Sequence, residues 1–315
     1  MNDTASSGAL VSIIIPCFNQ AHYLKESVAS ALAQTYGNIE IIVVNDGSDD
    51  PESVAILEGF SAPKTRVIHQ ANKGRAGVRN TGILAANGEY ILPLDADDMI
   101  EPGYIARALD LMQKDPKIGI VTCGVRFFGS SEKEWQLPDC TMENMLVENC
   151  IHISSLFRKE DWRAAGGFDE QLRSIYEDYD FWLSILESGK QAVRIPEPML
   201  RYRRHAESQT EKLRRHRFSK GLEEKQQALA YIFAKHGALY THYAPLAAGR
   251  IYNALQLPRP RPRHMAFKKR TYRLEHALLL LLRHVPGLQS HCAKRLARIQ
   301  EKLAYIARVE AQETR

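Results

Sequence analysis

The sequence predicts an α/β fold in which helices flank a mostly parallel, twisted sheet. Apolar segments rich in β-branched residues alternate with amphipathic segments over the first 125 residues, and no internal repeat is present. Such alternation is typical of βαβ units, which build parallel sheets. Two of the apolar segments end in acidic loops, and open α/β sheets bind their ligands at the carboxyl ends of the strands.

Each predicted element follows from its local pattern. The run from Val11 to Pro16 is apolar, β-branched and stopped by proline, which is typical of a buried strand. Apolar residues at three- and four-residue spacing predict the helices, and Pro51 falls in a first turn, where proline is tolerated. The predicted strands are 11–16, 39–44, 66–69, 89–94, 118–125 and 153–157. The predicted helices are 21–34, 51–60, 78–86, 102–114, 216–236 and one that begins at Tyr176, and 127–138 is predicted to be irregular.

Charge divides the chain into an acidic body and a basic C-terminal third. Residues 211–315 contain 22 Lys and Arg against 7 Asp and Glu, a net charge of +15. The first 210 residues contain the other 20 Lys and Arg and the other 30 Asp and Glu, a net charge of −10. We therefore expect a flexible N terminus at 1–10, an α/β domain at 11–210 and a basic helical region at 211–315 with a Pro/Arg linker near 258–264. Such a basic region suits nucleic acid, anionic lipid or an acidic polymer, and charge does not choose among them.

Cysteine usage and the first residues predict a cytoplasmic protein. The five cysteines are odd in number and widely spaced, which fits neither a disulfide framework nor a zinc site. Residues 1–9 lack the basic and long apolar segments of a signal peptide. We expect reduced, mostly buried cysteines.

The end of the chain predicts a basic amphipathic helix. Five leucines at 278–282 form a run far shorter than the roughly 20 residues that span a bilayer. Beyond them, Leu296, Ile299, Leu303 and Ile306 recur at helical spacing among basic residues. Such a helix either packs against another helix, which would also allow an oligomer, or lies on an anionic membrane surface at the inner face of the membrane.

Two acidic motifs are candidates for a functional site. Asp95, Asp97 and Asp98 follow the predicted strand 89–94, and oxygen ligands at a sheet edge suit a divalent cation bound to phosphate. Taken alone, an Asp-x-Asp motif is more often a solvated turn. The second motif, Glu177–Asp178–Tyr179–Asp180, begins a helix, where acids also stabilise the helix through its dipole.

Six sequence motifs occur in a fixed order, at 11–19, 43–48, 77–80, 94–98, 166–169 and 177–182. Together they resemble a family 2 glycosyltransferase with the GT-A fold, the fold of nucleotide-diphospho-sugar transferases. The resemblance runs from about Val11 to Ser208 and leaves the last hundred residues, the helical C-terminal extension, without any match. Asn45 departs from the pattern, because the family more often has aspartate there, but Asp46 is retained.

The resemblance implies transfer of a sugar, of the hexosyl or N-acetylhexosaminyl type, from a nucleoside diphosphate sugar to an acceptor hydroxyl with inversion. It implies a Mg²⁺ or Mn²⁺ held by Asp97, with Asp95 and Asp98 beside it and His205 completing the metal shell. A solvated His205 is the alternative. The residues it implies in nucleotide binding are Pro16, Asn19, Asp46, Arg79, Asp95 and Arg204.

Asp178 resembles the general base of the family. A one-step inverting displacement needs a base on the acceptor side and no covalent nucleophile. Glu177 and Asp180 are expected to orient the loop or the acceptor, and Trp182 is expected in the helix core. The acceptor is expected to be a glycan or a lipid-linked saccharide.

A UDP-sugar is the expected donor because Asp46 can accept a hydrogen bond from uracil N3, although GDP- and dTDP-sugars stay open. A hypothesis from a different class is a non-catalytic nucleic-acid-binding or scaffold protein that acts through residues 211–315. That region lacks aromatic residues arranged for base stacking, so nucleic acid is not the expected partner.

Overall fold

The structure is a computed structural model that describes residues 8–204, 220–243, 293–294, 297–301 and 303. The chain divides into two compact units, Met1–His236 and Gly237–Arg315. His205, the expected boundary at 210, the linker near 258–264 and the leucine run at 278–282 lie outside the described residues. Within the second unit, the described pieces from 293 onward are helical. Among the helices that are described, none has the length and apolar character to cross a membrane.

The first half of the chain forms a parallel sheet with intervening helices. The elements are β1 (Val11–Cys17), α1 (Ala21–Leu32), β2 (Ile39–Asp46), α2 (Pro51–Gly59), β3 (Thr65–Gln70), α3 (Gly74–Ala85) and β4 (Tyr90–Pro93). The strands pair in the order β3-β2-β1-β4, all parallel. Cys17 lies opposite Asn45, and Asp46 lies opposite Gln70. The loops after β1, β2 and β3 therefore begin at one edge of the sheet.

The second half of the sheet is mixed. Its elements are β5 (Met99–Ile100), α4 (Tyr104–Lys114), β6 (Ile118–Gly129), β7 (Glu134–Trp135), α5 (Met142–Met145), β8 (Leu156–Arg158), α6 (Lys159–Ala164), α7 (Glu177–Glu187) and β9 (Gln191–Arg204). From β4 the order continues β8-β6-β9-β5, and β7 pairs with β6. Among these described strands the β6–β9 pair is parallel and the other pairs are antiparallel. The uninterrupted parallel part of the predicted sheet is therefore β3-β2-β1-β4, and a second parallel pair, β6–β9, lies in the mixed part.

The predicted strands and helices of the first half are confirmed, with shifted ends. Helix α3 begins at Gly74 rather than at 78, and β6 continues to Gly129 through the start of the segment expected to be irregular. The 14-residue strand β9 was not predicted. Pro196 and Pro198 interrupt it, and its pairing with β6 shifts register between Cys123 and Gly124. Proline inside a strand removes a hydrogen-bond donor and hides the strand pattern.

A further helix, α8 (Lys220–Lys235), belongs to the first unit. Its amphipathic pattern was part of the helix predicted at 216–236. Ile232 is fully buried and Tyr231 is partly buried, so this helix packs on the α/β domain. The first compact unit therefore includes the start of the basic C-terminal third.

Helix α3 packs unusually close to the sheet because Gly82 has no side chain. A Cβ atom at this position would overlap the Cγ2 methyl of Ile14 and lie 3.1 Å from Cγ2 of Val44. Both neighbours are fully buried residues of β1 and β2. The same helix carries Arg79 one turn earlier, so this close approach fixes the position of that side chain.

We predict that Gly82→Ala lowers the free energy of unfolding by about 1–3 kcal/mol, because the added methyl overpacks a filled core. Urea unfolding measures the change. Gly59→Ala is the matched control, since a Cβ atom added there, at the end of α2, would meet nothing within 4 Å. The control should leave stability unchanged or raise it by up to about 1 kcal/mol. Equal effects of the two substitutions would contradict the close approach of α3.

Candidate active site

Three carboxylates after β4 form a cluster at the edge of the sheet. One ligand oxygen from each of Asp95, Asp97 and Asp98 lies within 4.8 Å of the others. Asp98 is 2% exposed, and its Oδ1 accepts a hydrogen bond from the backbone N–H of Arg203 at 2.8 Å. Burial, and then the charges of Asp97 and Asp95, raise the pKa of Asp98 well above its ordinary value.

A divalent cation fits this cluster. Oxygen ligands are those that Mg²⁺ and Mn²⁺ prefer. Burial first, and then the charges of Asp97 and Asp95, raise the pKa of Asp98, and a bound cation would offset the negative charge of the three carboxylates. The carboxylates expected to bind a metal are therefore brought together, whereas His205 lies outside the described residues.

Arg79 joins the two acidic motifs. Its guanidinium donates to Asp95 Oδ1 at 2.8 Å and to Glu177 Oε1 at 2.6 Å. Both Arg79 and Glu177 are buried, with side chains 3% exposed. Burial alone would lower the pKa of Arg79, but the charges of Asp95 and Glu177 outweigh it and raise that pKa. Arg79 is thus a permanently charged bridge between the strand-end acids and helix α7.

Asp178 lies beside this bridge at the start of α7. The helix begins after Tyr176, which has a left-handed backbone with φ of 65°. Asp178 accepts hydrogen bonds from Asn149 Nδ2 at 3.0 Å and from the N–H of Tyr179 at 2.8 Å. Burial and the neighbouring charge of Glu177 raise the pKa of Asp178 to about 7, against the lowering effect of Arg79. A carboxylate with such a pKa is suited to proton transfer near neutral pH.

Asn19 joins the loops after β1 and β2. Its backbone is left-handed, with φ of 55°, and its Oδ1 accepts from the N–H groups of Asp49 and Asp50 at 3.0 Å each. Asn19 Nδ2 also donates to Asp49 Oδ1 at 2.6 Å. Pro16, partly exposed, lies opposite Val44 in the same pair of strands. Both residues therefore lie at the strand edge expected to receive the nucleotide.

Asp46 accepts hydrogen bonds from the backbone at the start of α3. Its Oδ1 accepts from Gln70 Nε2 at 2.6 Å and from the N–H of Lys73 at 2.8 Å, and its Oδ2 accepts from the N–H of Gly74 at 3.0 Å. A carboxylate offers about four acceptor positions. Three are used by these bonds, so the side chain retains capacity for one more donor.

Arginines at the end of β9 approach the acid cluster from the other side. Arg203 Nε donates to the backbone oxygen of Asp97 at 2.8 Å, and its guanidinium lies over the rings of Tyr23 and Phe128 at 4.4 and 4.3 Å. The guanidinium of Arg204 lies over the Phe127 ring at 5.0 Å. Sequence reasoning missed the role of Arg203 because β9 was not predicted. The alternation of Leu and Tyr with Arg at 200–203 was the available signal.

The motifs at 77–80 and 166–169 are joined by Asn80. Its Oδ1 accepts from the N–H of Phe168 at 2.9 Å, and its Nδ2 donates to the Phe168 oxygen at 2.8 Å. Asn80 Oδ1 also lies 3.2 Å from Nε1 of Trp162. These contacts hold the loop before α7 against α3, so Asn80 and the motif at 166–169 support the site without belonging to its acidic centre.

Asp180 contacts helix α8 and, through Lys235, the loop that precedes α7. It is completely buried, and its carboxylate contacts Lys235 Nζ at 2.7 Å and His236 Nε2 at 3.1 Å. Lys235 Nζ also lies 2.8 Å from Asp169 Oδ2 in that loop. Of the two roles expected for Asp180, these contacts suit orienting the loop rather than the acceptor. The expectation that Trp182 belongs to the helix core is confirmed, because it is 0% exposed.

The family model for Glycosyl transferase family 2 matches residues 12–169. An uncharacterized glycosyltransferase of Rickettsia felis is 36% identical over 223 residues, which cover 66% of this chain and 36% of that protein. The uncharacterized glycosyltransferase EpsJ of Bacillus subtilis is 32% identical over 252 residues, covering 74% of this chain and 70% of EpsJ. The chain thus spans only about a third of the Rickettsia felis relative.

Solved structures with the same fold include two glycosyltransferase complexes. Residues 1–349 of Staphylococcus aureus TarS, in complex with UDP-GlcNAc, superpose with a TM-score of 0.59 at 16% identity over 96% of this chain and 92% of that one. The mannosyltransferase PcManGT of Pyrobaculum calidifontis, in complex with GDP-Man and Mn²⁺, superposes with a TM-score of 0.55 at 19% identity. The superposition covers 96% of this chain and 87% of that one. At these identities the likeness shows the fold, and the predicted GT-A class is confirmed.

We predict that Arg79→Met lowers the free energy of unfolding by about 3–5 kcal/mol, because it leaves the buried carboxylate of Glu177 without its partner. Urea unfolding at neutral pH measures the loss. The control is Arg107→Met, which breaks an ion pair of 2.7 Å with Glu197 whose side chains are 42% and 55% exposed. It should cost less than about 1 kcal/mol. Small, equal losses from both substitutions would show that Arg79 is not a buried bridge.

Proposed function

The chain belongs to glycosyl transferase family 2, and from this premise we propose that it transfers a sugar from a nucleoside diphosphate sugar to a hydroxyl of a glycan or lipid-linked saccharide, with inversion. The observation that carries the proposal is the buried Arg79, which contacts Asp95 at 2.8 Å and Glu177 at 2.6 Å. This contact brings the acids that suit a metal and the acid that suits a base into one site.

Asp178 is the proposed general base. It takes the proton of the acceptor hydroxyl as that oxygen bonds to the anomeric carbon and the diphosphate leaves. A pKa of about 7 leaves much of the carboxylate deprotonated near neutral pH while keeping it basic enough to accept a proton. The hydrogen bond from Asn149 holds one carboxylate oxygen, and the N–H of Tyr179 holds the other.

Asp97, Asp95 and Asp98 would hold the divalent cation. When bound, the cation supplies positive charge that offsets the charge developing on the leaving diphosphate. The mutual proximity of the three carboxylates supports this assignment. The Mn²⁺ in the PcManGT complex supports a divalent cation in this fold, and Mn²⁺ and Mg²⁺ are both candidates.

A UDP-sugar is the proposed donor. Asp46 has acceptor capacity left for uracil N3–H, and it lies at the strand edge beside Asn19 and Pro16. The UDP-GlcNAc complex of TarS supports a uridine nucleotide in this fold. A GDP-sugar is the alternative, because the PcManGT complex contains GDP-Man. Arg204 is proposed to contact the diphosphate.

We predict that Asp178→Asn lowers kcat by a factor of about 10²–10⁴, because the amide cannot accept the proton, while donor affinity stays near that of the wild type. Steady-state transfer assays and donor titration by calorimetry measure both quantities. Asp110→Asn is the control, since this acid on α4 is 57% exposed. Turnover at the wild-type rate in Asp178→Asn would remove Asp178 from the role of base.

We predict that a nucleotide sugar together with Mn²⁺ or Mg²⁺ stabilises the folded protein in a thermal-shift screen of UDP-, GDP- and dTDP-sugars. A ligand that binds only the folded state contributes about 2.7 kcal/mol at a hundredfold excess over its Kd. Asp97→Asn should remove the metal-dependent part of the shift. A metal-dependent shift that survives in Asp97→Asn would contradict the metal assignment, and a larger shift with a GDP-sugar would overturn the UDP preference.

A further inference from the structure

A buried ionic cluster joins helix α8 to the helix that carries Asp178. Lys235 Nζ lies 2.7 Å from Asp180 Oδ2 and 2.8 Å from Asp169 Oδ2. The hydroxyl of Tyr231 donates to the same Asp169 oxygen at 2.8 Å. Asp180 and His236 have side chains only 1% and 2% exposed. These contacts hold α8 on the first turn of α7 and on the loop that precedes it.

The surroundings of His236 favour its doubly protonated form. Its Nε2 lies 3.1 Å from Asp180 Oδ1, and its Nδ1 lies 2.9 Å from Glu187 Oε2. A neutral imidazole has a single N–H, so one ring nitrogen would direct a lone pair at a carboxylate. The imidazolium ion donates to both oxygens. The contacts therefore fit a charged His236 and are weakened when it loses a proton.

The first turn of α7 is consequently held from two sides. Glu177 is bound by Arg79, which also contacts the strand-end acid Asp95. Asp180, three residues later, is bound by Lys235 and His236. Asp178 lies between these two anchors in the sequence. Its position relative to a substrate thus depends on both contacts, and small displacements of catalytic groups are costly.

We propose that Lys235 and His236 are positioning residues for the general base, and that the imidazolium form of His236 is required for full turnover. The inference rests on the proposed role of Asp178 in sugar transfer. Helix α8 lies beyond the family match at 12–169, and under this proposal it contributes to catalysis by positioning Asp178.

The charged groups around His236 set the sign of the pH dependence. Asp180 and Glu187 face it from α7, Lys235 precedes it, and Asp169 reaches Lys235 from the preceding loop. Burial alone would lower the pKa of His236, but the hydrogen bonds to Asp180 and Glu187 outweigh it and raise that pKa. The stabilising contact is complete below the pKa of an unfolded histidine and is lost as pH rises through the raised folded value. With increasing pH, kcat should therefore rise as Asp178 loses its proton and fall again as His236 loses its proton.

The first test is the pH profile of kcat in the wild type and in Glu187→Gln. Glu187 ends α7 and its side chain is 39% exposed, so the substitution is tolerated by folding. Because loss of a carboxylate lowers the pKa of His236, the alkaline limb should move to lower pH while the acid limb stays in place. Glu224→Gln, on the exposed side of α8, is the control and should leave both limbs unchanged. An alkaline limb that does not move in Glu187→Gln would overturn the proposal.

The second test removes the positioning contacts directly. His236→Gln should lower kcat on the order of ten- to a hundredfold and abolish the alkaline limb, with the KM for donor within about twofold of the wild type. Lys235→Met should lower kcat similarly, and Lys235→Arg should restore most of it. Melting curves check that each variant is folded, and Glu187→Gln decides the question if His236→Gln does not fold. If both His236→Gln and Lys235→Met keep the wild-type kcat, the positioning role is contradicted and the proposed function is not. If the wild-type protein has no transfer activity, the proposed function is contradicted, and this inference with it.

Discussion

The active site depends on the buried guanidinium group of Arg79. Arg79 binds Glu177, which is 98 residues away in the sequence, and Asp95, which lies in the loop after β4. Removing a guanidinium group from water costs several kcal/mol of folding free energy, unless well-placed hydrogen bonds to carboxylates offset that cost. The chain meets this constraint by packing α3 against the sheet at Gly82 and by turning α7 towards it through the left-handed Tyr176. Fold and site are therefore fixed by the same contacts.

The site has more negative charge than its single bridging arginine can balance. Asp95 and Glu177 are paired with Arg79, while Asp97, Asp98 and Asp178 add further acids nearby. The excess appears as raised pKa values at Asp98, where burial and neighbouring acids act, and at Asp178, where burial and Glu177 act. One group of acids is thereby suited to a divalent cation, and the other to proton transfer. Unequal surroundings thus give chemically identical side chains different roles.

The sequence was informative where local pattern carries the structure, and uninformative where distant contacts do. Apolar runs ending in polar loops located β1, β2 and β4, and with them Asp46 and Asp95. No local pattern could pair Asp180 with Lys235, because 55 residues separate them and either one alone resembles a solvated charge. Strand β9 was not predicted, because its two prolines interrupt the alternating pattern of a strand. The end of this strand brings Arg203 to the carboxylate of Asp98. The motifs in the sequence indicate the residues proposed as metal ligands and as the base, whereas the contacts that orient them needed the structure.

We propose that burial beside Glu177, which Arg79 holds in place, raises the pKa of Asp178 enough for it to act as a base near neutral pH. The most direct measurement is a ¹³C-carboxylate NMR titration of the free protein, with the Asp178 resonance assigned by its absence in Asp178→Asn. We expect a titration midpoint of about 7 for Asp178. A midpoint near 4, the ordinary value of an aspartate, would contradict the claim.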